Sequence, residues 1–125
     1  MNSELDYIGW IDDQAESAAD AIKAAISSKK MTVSSGGALL ASFRSETEAL
    51  ERAYLKQCGL ECQESKAWED YLLCEGKEEQ KAAAKKADDL RMRLSTVRCD
   101  CNDIYNRWNQ TRMRIMPFVR EGVKS

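Results

Sequence analysis

Histidine is absent from this chain of 125 residues. With it go the commonest general base and the commonest metal ligand, and Ser-His and Cys-His catalytic pairs are excluded outright. Proline occurs once and glycine six times, too few for the many turns of a β sandwich or barrel. Long apolar runs are missing, and nothing approaches the ~20 residues that a bilayer-spanning helix needs. No glycine-rich phosphate loop is present, because Gly36-Gly37 stands alone with no strand before it. Charge of one sign is lacking too: charged residues reach 32% with a net of −2, so the total charge names no partner.

Large apolar side chains are scarce. Fifteen of the hydrophobic residues are alanine, and Leu, Ile, Val and Phe together number 22. That is lean for a round core but suits narrow helix–helix seams, where a few large side chains alternate with alanine. The opening residues Met1-Asn2-Ser3-Glu4-Leu5-Asp6 are acidic and show no signal-peptide pattern. A cytoplasmic protein is expected, with five cysteines as free thiols.

What is present is helical periodicity. Ile8, Ile11, Ala15, Ala18, Ile22 and Ala25 recur at steps of three and four, predicting a first helix over about 3–29 with Ser3 as its cap and Asp6 as return partner. The residues Met31-Thr-Val-Ser-Ser-Gly-Gly37 read as a loop over 30–37. A second helix is predicted over about 38–75, with the stripe Leu40, Phe43, Thr47, Leu50, Tyr54, Cys58, Cys62, Ser65, Trp68 and Leu72. Gly59 inside it suggests a kink or a close neighbouring backbone, and Gly76 reads as the C′ residue that ends it. The third helix, over about 78–116, has the cleanest stripe: Ala83, Ala87, Leu90, Leu94, Val97, Cys101, Ile104, Trp108, Thr111, Ile115 and Phe118. Pro117 should kink or end it. The expected fold is all-α, a single domain of three helices over 1–125. Helices 2 and 3 form a long antiparallel coiled-coil-like hairpin, because the link at Gly76 is short. Residues 31–76 carry −4 and residues 77–125 carry +5, so the flanks of these two helices attract.

Chemistry is hard to place on this pattern. The pairs Asp12-Asp13, Glu78-Glu79 and Asp88-Asp89 are adjacent on helices and diverge by ~100°, as solvated surface does. Cys58 and Cys62 share a helix face while Cys99 and Cys101 point apart, so the four make no zinc knuckle. A Cys58–Cys99 disulfide is the alternative in an oxidising compartment, with Cys58 roughly opposite Ser95. No catalytic residue, metal site or cofactor is expected, and an enzyme is not.

One segment stands out as a binding surface. Tyr105, Arg107, Arg112, Met113, Arg114, Met116, Phe118 and Arg120 crowd the end of helix 3, and arginine and aromatic residues are the side chains most enriched at interface hot spots. The expected function is a non-enzymatic protein–protein interaction module of adaptor, chaperone, scaffold or inhibitor type, self-associating as a homodimer. The alternative is a nucleic-acid-associated protein using the basic face of helix 3, arginines meeting phosphates and aromatics stacking on bases.

Overall fold

The computed structural model describes the backbone of residues 3–124 and the side chains of residues 6–120. Of the described residues, 93% are helical. Three helices follow in order: α1 (Ser3–Ser27), α2 (Val33–Leu73) and α3 (Lys77–Lys124). Helices α2 and α3 pack extensively against each other as a hairpin. The Ser3 cap predicted for α1 lies outside the described side chains.

The turns depart from the sequence-based boundaries for local reasons. Helix α1 closes with Lys29 in the left-handed region, φ 63°. The Lys29 amide donates to the Ile26 carbonyl at 3.1 Å and the Lys30 amide to the Ala25 carbonyl at 2.9 Å. These two bonds form the Schellman pattern, built on lysine where glycine is usual. Helix α2 begins five residues before the expected start, so Gly36 and Gly37 are helical. The cause is Thr32, whose Oγ1 accepts from the Ser35 amide at 3.0 Å while its carbonyl accepts from the Gly36 amide at 2.9 Å. Thr32 is thus an N-cap, and a cap outweighs two glycines that follow it. Gly36 has a packing role. A Cβ there would lie 2.6 Å from Ile26 Cδ1 and 3.1 Å from Met31 Sδ, so the missing side chain lets the end of α1 lie close on α2.

Gly76 does not end α2 as a C′ residue, since no glycine has positive φ. It caps α3 instead, its carbonyl accepting from the Gln80 amide at 2.9 Å. The Gln80 side chain reaches back to the Cys74 carbonyl at 2.9 Å and so covers an orphan acceptor at the end of α2. Pro117 does not end α3, which continues to Lys124. The proline is exposed. Around Gly59 a Cβ would meet nothing within 4 Å, so no backbone crosses there and α2 runs on through it.

The chain divides into two compact units. The first joins Met1–Glu51 with Asp103–Ser125 and is a three-helix bundle of α1, the start of α2 and the end of α3. Ile11, Ile22, Phe43, Leu50, Trp108 and Ile115 are its fully buried large side chains. The second, Arg52–Asn102, is a two-helix arrangement in which Leu94 is fully buried and Val97 and Cys101 are buried with it. Ala67, Ala87 and Leu90 cluster there with Leu60 and Trp68 against them.

The stripe of α3 is buried or half-buried from Ala83 to Phe118. The stripe of α2 holds from Leu40 to Cys58 and then fails: Cys62, Ser65 and Leu72 are exposed. A strict alternation of four and three from Phe43 lands on Gln57, Glu61, Glu64, Trp68 and Tyr71, all half-buried. The seam passes through polar residues there. Gln57 donates to Glu61 at 3.1 Å, and Arg98 pairs with Glu61 at 3.3 Å. Apolar counting follows the cysteines and misses it. That pair also sets Cys58 nearer the level of Cys101 than of Ser95. All five cysteines are thiols, with no Cys58–Cys99 bridge, and burial pushes the Cys101 thiol up.

Candidate interaction surfaces

The end of α3 has an inner and an outer side, and the eight residues singled out there divide between them. Trp108 is the centre of the inner side. Its indole N–H donates to Thr47 Oγ1 at 3.0 Å, and the Thr47 hydroxyl donates in turn to the Phe43 carbonyl at 2.7 Å. Every polar atom in this relay is satisfied, as burial demands. Phe43 stacks on Trp108 with centroids 5.6 Å apart, Trp10 meets it edge-on at 5.4 Å and Tyr105 lies at 5.8 Å.

Arg112 belongs to this inner side. Its guanidinium sits 5.7 Å from the Trp10 ring centroid and 5.5 Å from that of Trp108. It donates to Asn109 Oδ1 at 3.1 and 2.9 Å and to Gln14 Oε1 at 3.1 Å. Cation–π attraction and three hydrogen bonds commit this arginine to holding α1 on α3. It is therefore removed from the set free to meet a partner. Tyr105, Met116 and Phe118 are half-buried, and α1 meets this side of α3 at Arg112 and Trp108. Thr111 donates to the Glu46 carboxylate at 2.7 Å, which further ties α3 to α2.

Arg107, Met113, Arg114 and Arg120 remain outside. All are exposed, Met113 to 52%. Steps of seven put Arg107 with Arg114 and Met113 with Arg120, so the four cover one side of the helix. No acidic residue occurs from Ile104 to Arg120.

A second surface lies where α2 turns into α3. Leu72 and Leu73 are 77% and 80% exposed. Beside them is an open cleft of about 620 Å³ lined by Asp70, Leu73, Cys74, Glu75, Glu79 and the alanines 82 and 83. Leu73 and the two alanines supply its apolar lining, and its charged groups are all acidic. From Glu69 to Glu79 the chain carries five acids against one lysine. Leu72, expected in the seam, belongs to this exposed surface instead. Adjacent leucines at a helix end were the available signal, since neighbours ~100° apart cannot both enter one seam.

Glu51 is half-buried in the first unit. Its Oε1 is buried without a hydrogen-bond partner. Burial, a hydrogen bond with Asp12 and the negative charges of Asp12 and Glu48 push its carboxyl up to about 7. Among the described residues no group of three His, Cys, Asp or Glu side chains is placed to hold a metal, and no helix is long and apolar enough to cross a membrane. No family model, curated protein or solved structure matches this chain.

Proposed function

We propose that the chain is a non-enzymatic protein–protein interaction module that binds a protein partner through the outer side of α3. The observation that carries this reading is the exposure of Arg107, Met113, Arg114 and Arg120 on one side of a helix whose other side is fixed by Trp108 and Arg112. A rigid helix presenting arginines around an apolar contact loses little freedom on binding. The nucleic-acid reading is weaker, because the aromatics that would stack on bases are turned inward: Trp108 is fully buried and Phe118 half-buried.

The test is capture of partners from host extract with wild-type protein and with the R107E/R114E variant. Both positions are exposed, so the melting temperature should not move. Loss of the captured partners from the variant, with the melt intact, supports the module. An unchanged set of partners sinks it. Capture of nucleic acid that is released steeply by salt would replace it with the phosphate-binding reading.

A further inference from the structure

We infer that the acidic leucine cleft at the α2–α3 turn is the docking site for the basic outer side of α3 of a second copy of this chain, so that copies join tip to tail. The inference rests on the reading of the α3 surface given above and names its partner. Two exposed patches on this chain are complementary in charge and alike in having an apolar centre. The tip offers Leu72 and Leu73 beside a cleft whose charged lining is Asp70, Glu75 and Glu79. The tail offers Met113 between Arg107, Arg114 and Arg120, with no acid from residue 104 to 120.

The two sides differ in what they lack. No basic residue lines the cleft, although Lys77 stands in the same turn. Two ion pairs among the described residues, Arg98 with Glu61 and Arg91 with Asp88, draw on neither patch. Opposite patches of this kind steer encounter and suppress wrong pairings, since tip on tip and tail on tail both bring like charges together. The contact is heterologous: the surface used on one copy differs from that used on the next. Repeated from copy to copy, such a contact extends a chain or closes a ring. The alternatives for the cleft are a basic helix of a different protein and no occupant at all.

Complementation between variants tests this. The tip variant is L73S/E75R and the tail variant is M113S/R114E, all at exposed positions. Wild type at about 100 µM in low salt should sediment as a concentration-dependent associating species, weakened at least ~10-fold as salt rises from about 50 to 500 mM. Each variant alone should remain a monomer with an unchanged melt. Their equimolar mixture should recover a one-to-one pair, because it contains one intact tip and one intact tail. If a variant fails to fold, the salt series on wild type and the single change E75Q decide in its place. The inference is overturned if wild type stays monomeric, if the tip variant associates like wild type, or if the mixture of folded variants stays monomeric. If tail changes abolish protein binding while tip changes do nothing, the interaction module survives and the tip-to-tail contact falls.

Discussion

Thr47 and Trp108 show how much rests on single polar atoms in a lean core. The Thr47 hydroxyl accepts from the indole and donates to the Phe43 carbonyl. Replacing Thr47 by valine keeps the volume but strands a buried N–H, which costs about 1–3 kcal/mol. Urea unfolding of T47V should show that loss, and a loss below about 0.5 kcal/mol would mean the indole finds another acceptor. Glu51 gives a second test at this scale. Its carboxyl holds a proton up to about pH 7 in the folded protein against an ordinary 4.5. Between those values the native state binds more protons than the unfolded one, so stability falls as pH rises from about 4.5 to about 7 and then levels. After allowing for the part of the side chain that water reaches, the loss is on the order of 1–2 kcal/mol. The variant E51Q removes this contribution, so it should match wild type near pH 4.5 and exceed it near pH 8. Parallel pH curves for the two proteins would refute the assignment.

At the scale of elements, the two adjacent glycines near the start of α2 are opposites. Gly37 has nothing within 4 Å of an added Cβ, whereas Gly36 is pressed by Ile26 and Met31. The variant G37A should therefore gain about 0.5–1 kcal/mol from lower unfolded-state entropy. G36A has the same gain available but must displace Ile26, and should fall about 1–3 kcal/mol below G37A. Thermal melts of the two decide it, and equal melts would deny the close approach. The elements also show what sequence could reveal. Helix α3 was legible because burial follows its apolar stripe from Ala83 to Phe118 without a slip. Helix α2 was legible only to Cys58, because beyond it Leu60, Ala67 and Trp68 face the core among half-buried polar Gln57, Glu61 and Glu64, and that mixture hides the seam from apolar counting. The start of α2 was hidden by the weight given to Gly36-Gly37 over the Thr32 cap.

For the molecule as a whole, the same division holds between what periodicity reaches and what it does not. The all-α hairpin follows from three apolar stripes and a short turn. Of the candidate surface, sequence singled out a segment but could not tell its inner side from its outer side. Arg112 reads like Arg107 and Arg114 in the chain, and only its contacts with Trp10, Gln14 and Asn109 set it apart. The acidic cleft was out of reach because it needs residues from both sides of the α2–α3 turn to come together.

The edge-on pair of Trp10 and Trp108 has an optical consequence. Two indoles with centroids 5.4 Å apart and planes at 62° couple their electronic transitions and produce a signed doublet in circular dichroism that neither ring gives alone. One ring belongs to α1 and the other to α3, so the doublet exists only while α1 is seated. The third tryptophan, Trp68, lies in the other unit beside Tyr71 and takes no part in it. The protein thus carries an intrinsic label by which docking of α1 is observed separately from the unwinding of its helices.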